Sequence, residues 1–196
     1  MDFPWERLTG EPLIYASMGT IMNGRPDVFR TIAAGVANHR GTQLVLSIGD
    51  RLDPKEIGPV PGNAIIVNQA PQLELLKRAS VCITHAGLNT VLESLAQGVP
   101  QLAIPVTFEQ PGIAARIAAK KTGVTVSFAD LTSEHLSTLL DELLNCSIYR
   151  ENAVKFQEII RKTDGLALAA NIVERCFGVG RDAPTGAGSL TIAEPR

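Results

Sequence analysis

Apolar positions recur along this chain in two alternating rhythms. Short runs rich in β-type side chains, at 12–17, 43–48, 64–67, 81–84, 101–104 and 123–127, are apolar at successive positions and read as strands buried on both faces. Between them the apolar residues return every three or four positions, as on an amphipathic helix. Val28, Phe29, Ile32 and Val36 mark a helix over 26–38, and Pro71 opens a short one over 72–78. Leu88, Val91, Leu92 and Leu95 form one stripe within 87–97, and Ile113, Ala114 and Ile117 another within 109–121. Three further helices follow without strands. Leu136, Leu139, Leu140 and Leu143 mark the first, behind the capping candidates Thr132 and Ser133. Tyr149, Ala153, Phe156 and Ile160 mark the second, and Leu166, Ala169, Ala170, Val173 and Phe177 the third, after Asp164-Gly165.

This alternation predicts an α/β fold: a Rossmann-like, mostly parallel sheet of about six strands with helices on both faces, followed by C-terminal helices. Residues 12–177 form the expected domain. Residues 1–11, punctuated by Pro4 and Gly10, read as an irregular lead-in, and 178–196, rich in Gly, Ala, Pro and Ser, as a flexible tail.

Composition narrows the classes. With 196 residues, 45% of them hydrophobic and 19% charged, the chain reads as globular, and a formal charge of −2 supplies no basic excess for nucleic acid. No apolar run is long enough to span a bilayer, and MDFPWERL has no signal-peptide pattern. Cys82, Cys146 and Cys176 are odd in number and widely spaced, which fits reduced thiols in a cytoplasmic protein rather than a zinc or disulfide framework.

Ligands on parallel sheets bind beyond the C-terminal ends of the strands. Five polar or Gly-rich turns fall on that rim: Ser17-Met18-Gly19-Thr20, Gly49, Gln69-Ala70-Pro71-Gln72, His85 to Thr90, and Pro105 to Gln110. The richest is the strand running into His85-Ala86-Gly87-Leu88-Asn89-Thr90 and then a helix. The first N–H groups of a helix lack intrahelical partners and point at an anion, and a glycine lets the backbone approach it. A lone histidine is more often structural. At a helix N-terminus, beside Asn89 and Thr90, His85 becomes one of several anion donors, and the helix dipole favours its neutral form. Glu93, about one turn past Asn89, suits a ribose cis-diol, although a solvated Glu near a helix start would look the same. Glu109-Gln110 suits a polyhydroxyl ring by accepting and donating in turn; alone, such a pair is usually a helix start in water. No P-loop, dinucleotide fingerprint or nucleophile elbow is present.

Together, Gln69-Ala70-Pro71-Gln72, Thr84 to Thr90, Glu93, Gly98-Val99-Pro100, Pro105 and Glu109-Gln110 resemble the donor-binding signature of family 1 glycosyltransferases, in particular the bacterial macrolide-type and related UDP-glycosyltransferases. The resemblance extends to Ser17-Met18-Gly19-Thr20, to Leu46-Ser47-Ile48-Gly49, and to Asp164-Gly165 with Ala169-Ala170, over residues 12–177.

It implies the C-terminal half of a two-domain GT-B enzyme. By the family pattern His85, Gly87, Asn89 and Thr90, with Gly19 and Thr20, hold the donor diphosphate. Glu93 takes the ribose hydroxyls with Gln72, Gln69 and Ala70 meet the base, and Glu109 and Gln110 meet the sugar. Gln69 stands where the family usually stacks a tryptophan on uracil, so the choice between uridine and thymidine stays open. UDP-sugar is a co-substrate, and neither cofactor nor metal is expected. The family's catalytic histidine belongs to an N-terminal domain, and His39 and His135 sit on helices expected away from the rim. No catalytic residue is therefore expected in this chain, which would be inactive alone and partnered, in cis or in trans, by an acceptor domain.

The complete enzyme would transfer a hexose, glucose by expectation, with inversion from UDP to a hydroxyl of a small lipophilic acceptor. Alternatives are an interaction module of a split two-chain transferase, a GT-B-type UDP-sugar epimerase and an unrelated Rossmann-like domain. A rim shaped to pack on another domain would also leave apolar groups exposed and favour self-association.

Overall fold

A computed structural model of the chain describes residues 2–19, 24–58 and 60–177; the expectations for Thr20 and for the tail at 178–196 lie outside the described residues. The elements follow the order read from the sequence: β1 (Leu13–Ser17), α1 (Pro26–Val36), β2 (Gln43–Ser47), β3 (Ile65–Val67), α2 (Gln72–Leu76), β4 (Ala79–Thr84), α3 (Leu88–Ala96), β5 (Gln101–Ala103), α4 (Gln110–Ala119), β6 (Gly123–Thr125), α5 (Ser133–Asn145), α6 (Ser147–Lys162) and α7 (Gly165–Cys176). The six strands form one sheet in the order β3-β2-β1-β4-β5-β6, and every pairing is parallel. Strand order reverses between β1 and β4, the topological switch point at which a sheet of this kind opens a crevice.

Alternate residues of each strand serve opposite faces. Ile14, Ala16, Leu44, Leu46, Val81, Ile83 and Leu102 join a core with Val28, Phe29 and Ile32 of α1 and Leu136, Leu140 and Leu143 of α5. Leu13, Tyr15, Val45, Ile65 and Cys82 face the other way, against Leu75 and Leu76 of α2. On that second side Val91 and Leu95 of α3, Ile113 and Ile117 of α4, and Ala153 of α6 pack together around Ala103. Thr132 caps α5 as expected, its hydroxyl accepting from the His135 N–H at 3.1 Å.

Three details differ from the sequence reading. The lead-in holds a 3-10 turn at Trp5–Arg7 and buries Phe3 in the same core as Leu13 and Tyr15, because that sheet face is otherwise short of cover. The Pro/Gly-rich connection after β2 contains a second 3-10 turn, Pro54–Ile57, closed by a capping box between Asp53 and Glu56. The α3 stripe is split: Val91 and Leu95 are buried, while Leu88 and Leu92 stand 51% and 47% exposed, since a helix lying on one sheet face can bury only part of a wide stripe.

Packing divides the chain into two compact units, Met1–Arg161 and Lys162–Arg196. In the second, Asp164 caps α7 by accepting from the Ala167 N–H at 3.0 Å, and Leu166, Leu168, Ile172 and Val173 are exposed. Among the described residues no helix is long and apolar enough to cross a membrane.

Candidate functional site

Two clefts open on the C-terminal rim of the sheet, one on each side of the switch point. The first, of about 510 Å³, lies over the ends of β1, β2 and β3, and its lining includes Tyr15, Ser17, Gly19, Asp50, Gln69, Ala70 and Gln72. The second, of about 360 Å³, is lined by His85, Gly87, Leu88, Asn89, Thr90 and Glu109. All the expected site residues that the structure describes, except Glu93 and Gln110, therefore line one cleft or the other.

The second cleft is built by backbone. β4 ends at Thr84, whose buried hydroxyl accepts from the Ala86 N–H at 3.2 Å. Ala86 is fully buried with φ of 66°, a left-handed conformation that costs a non-glycine residue about 1–3 kcal/mol and concentrates at functional sites. It turns the chain sharply enough for Gly87 to cap α3, with no side chain bonded to the cap; the first helical bond runs from the Val91 N–H to the Gly87 carbonyl at 3.1 Å. The N–H groups of Leu88, Asn89 and Thr90 are thereby presented at the cleft without an intrahelical acceptor.

His85 is half-buried with its ring between two glycines. A Cβ added to Gly19 would stand 2.6 Å from Cε1 and 2.7 Å from Nε2, and one added to Gly87 would stand 2.7 Å from Cε1. Gly19 carries φ of 77°, so its backbone also favours glycine. The glycines thus do more than admit a ligand: they make room for the imidazole. Burial, the first cause, holds the His85 pKa below its ordinary 6.5, against the opposing charge of Glu109. Nδ1 is buried and has no hydrogen-bond partner among the described residues.

The first cleft is built by side chains. Gln69 is exposed and donates from Nε2 to Asp50 Oδ2 at 2.6 Å. Asn68 ties the β2 and β3 ends together, donating to the carbonyls of Gly49 and Leu52 at 2.8 Å each. Gln72 is the junction between the clefts. It accepts from the Tyr15 hydroxyl at 3.0 Å and donates to Glu93 Oε2 at 2.5 Å and to Thr90 Oγ1 at 3.3 Å.

Gln110 is buried, and its Oε1 accepts from the N–H groups of Val106 and Thr107 at 2.9 and 3.0 Å. The side chain expected to meet a sugar thus ties the turn before α4 with its carbonyl. Glu109, exposed beside it, reaches the second cleft. His39 Nδ1 lies 3.4 Å from Asp141 Oδ1, and His135 Nδ1 lies 3.1 Å from the Asp130 carbonyl; neither lines a rim cleft. No group of three or more His, Cys, Asp and Glu side chains able to hold a metal occurs among the described residues.

Tyr15, Asp50 and Asn68 are site residues that the sequence reading missed. A tyrosine in an apolar strand reads as core, and nothing local says that its hydroxyl emerges beside a helix 57 positions on.

Known proteins resemble this chain in sequence and in fold. Residues 8–171 match the model of the "UDP-glucoronosyl and UDP-glucosyl transferase" family. The chain is 32% identical to the demethyllactenocin mycarosyltransferase of Streptomyces fradiae, over 87% of this chain and 37% of that protein. It is also 32% identical to the zeaxanthin glucosyltransferase of Pantoea ananas, over 92% and 42%. The crystal structure of CalG4, the calicheamicin glycosyltransferase, superposes with a TM-score of 0.80 at 30% identity, over 89% of this chain and 46% of that one. The chain spans less than half the length of these relatives. With the match running through all six strands and the residues of both rim clefts, the chain belongs to the UDP-glucuronosyl and UDP-glucosyl transferase family.

Proposed function

We propose that this chain is the donor-binding half of a glycosyltransferase, holding a nucleoside-diphosphate sugar across the two clefts. The observation that carries the reading is their junction at the switch point. One cleft offers side-chain partners for a nucleoside, the other offers uncapped helix N–H groups to a diphosphate, and Gln72 bonds into both sides.

Asn89, Thr90 and the α3 N-terminus hold the phosphates, with His85 donating from Nε2–H; an unpaired buried acceptor at Nδ1 is less costly than an unpaired N–H would be, which favours that tautomer. Glu93 receives the ribose hydroxyls, Ala70 and Gln69 border the base, and Glu109 accepts from the sugar. These fixed donors offset the diphosphate charge and stabilise the departing nucleotide without needing a metal. The acceptor, and the base that deprotonates it, belong to the remainder of a family-length protein, so the isolated chain binds donor and does not transfer. The transfer inverts the anomeric centre, with UDP-glucose as the expected donor and a small lipophilic alcohol as the acceptor. Leu88, exposed at the second cleft, and Leu92, exposed one turn further along α3, favour association with that second domain or with another copy.

Calorimetric titration with UDP and UDP-glucose tests the reading. Saturable heat with both, and no sugar release in their presence, is expected; no heat and no change in melting temperature at millimolar UDP overturns it.

A further inference from the structure

Tyr15 lies in the middle of the central strand β1, 2% exposed, paired in register with Val45 of β2 and Cys82 of β4. A phenylalanine would fill the same core site, so the hydroxyl needs a separate explanation. It donates to Gln72 Oε1 at 3.0 Å and so holds the oxygen end of the Gln72 amide. With its oxygen held by Tyr15, the amide turns Nε2 toward Glu93 Oε2 at 2.5 Å and Thr90 Oγ1 at 3.3 Å. Rotated by half a turn, the amide would set its oxygen against a carboxylate oxygen, acceptor against acceptor. Burial, the first cause, raises the Tyr15 pKa above its ordinary 10.0, so the hydroxyl keeps its proton and donates at any working pH.

We propose that Tyr15 is a positioning residue for ribose recognition: through the Gln72 amide it fixes Glu93, and so sets how strongly the site distinguishes a ribonucleotide from its deoxy counterpart. This rests on the donor-binding reading above. Glu93 has one oxygen committed to Gln72 and retains acceptor capacity for vicinal hydroxyls. A carboxylate held in one orientation rewards a hydroxyl at one place, whereas a swinging one bonds to water as readily. Gln72 therefore acts as a relay between a buried strand tyrosine and a helix carboxylate. It links the floor of the nucleoside-side cleft to α3.

The test compares UDP with 2′-deoxy-UDP on the full chain and on Tyr15→Phe, with melting temperatures checking that the variant is folded. Wild type is expected to prefer UDP. Tyr15→Phe is expected to lose about five- to tenfold in UDP affinity while 2′-deoxy-UDP changes by less than about twofold, the size of one hydrogen bond expressed only with the ribose. Gln72→Met, similar in volume and without the amide, should collapse the same ratio, and adding Tyr15→Phe to it should change the ratio no further. Parallel losses for both nucleotides, or an unchanged ratio, overturn the proposal. If wild type binds neither nucleotide, the donor-binding reading and the ribose role fall together. The Gln72 side-chain amide resonances of the unliganded chain then decide the relay separately: a shift and faster exchange in Tyr15→Phe support it, and unchanged signals overturn it.

Discussion

The two clefts on the rim differ in what holds their polar groups. On the side proposed for the nucleoside the partners are side chains already bonded to one another: Tyr15 to Gln72, Gln72 to Glu93 and Thr90, Gln69 to Asp50. On the side proposed for the diphosphate the donors are N–H groups of a helix with no side-chain cap, and the one ring beside them has a buried nitrogen with no partner among the described residues. A side-chain network gives orientation, which a ribose with fixed hydroxyl directions requires. Open backbone donors give field strength, which a diphosphate requires and which asks less of angle. The contrast matches a ligand whose two ends need different kinds of grip.

Gly19 provides the most severe way to break this contrast, because it lines the nucleoside cleft while its missing side chain accommodates His85 of the other. Gly19→Ala should destabilise the chain by about 2–4 kcal/mol, combining left-handed strain with a clash against the imidazole. Gly41→Ala is the control, since Gly41 has φ of 79° with nothing within 4 Å of an added Cβ. It should lose about 1 kcal/mol from backbone strain alone. Urea unfolding of both variants measures the difference, and equal losses would mean that His85 moves aside freely.

Gln69→Trp sharpens the nucleoside side. An indole in place of the exposed amide should tighten UDP binding by about 0.5–1.5 kcal/mol, through stacking on the base. It removes the bond to Asp50 without touching the Tyr15–Gln72–Glu93 chain. Titration with UDP against ribose 5-phosphate should show the gain for UDP alone; a gain with both would place residue 69 near the phosphates.

The smallest effect concerns His85 and pH. Its native pKa lies below 6.5, so as pH falls the unfolded chain takes up this proton before the folded one does. Its contribution to stability is therefore full above pH 6.5 and declines as pH drops from there toward the native value. His85→Gln should flatten the stability profile of the chain between pH 7.5 and pH 5, measured by urea unfolding, and a profile identical to wild type would show that burial of this ring carries no such penalty.

The sheet was legible because its strands are apolar at successive positions and its helices at every third or fourth. The strand–turn–helix junction was legible for a related reason: strand end, glycine and helix start are contiguous from Thr84 to Thr90, so local chemistry is enough to present the N–H groups. The nucleoside side was less so. Asp50 meets Gln69 only because β2 and β3 end side by side, and Tyr15 meets Gln72 only because strand alternation turns Tyr15, like Leu13, toward α2. Gln110 shows the same limit from the other side: its carbonyl is committed to the backbone of its own loop, which only the folded turn before α4 reveals.

By itself, then, the amino-acid sequence determined the order of elements, the parallel sheet and the Thr84–Thr90 junction, since period and local backbone preference act within a few residues. Tertiary structure alone decided that Gly19 and Gly87 enclose His85, that Leu88 and Leu92 face outward, and that one glutamine, Gln72, bonds both to a strand tyrosine and to a helix carboxylate. Those contacts join residues tens of positions apart. They depend on strand register and on the seating of each helix against the sheet, which no local pattern encodes.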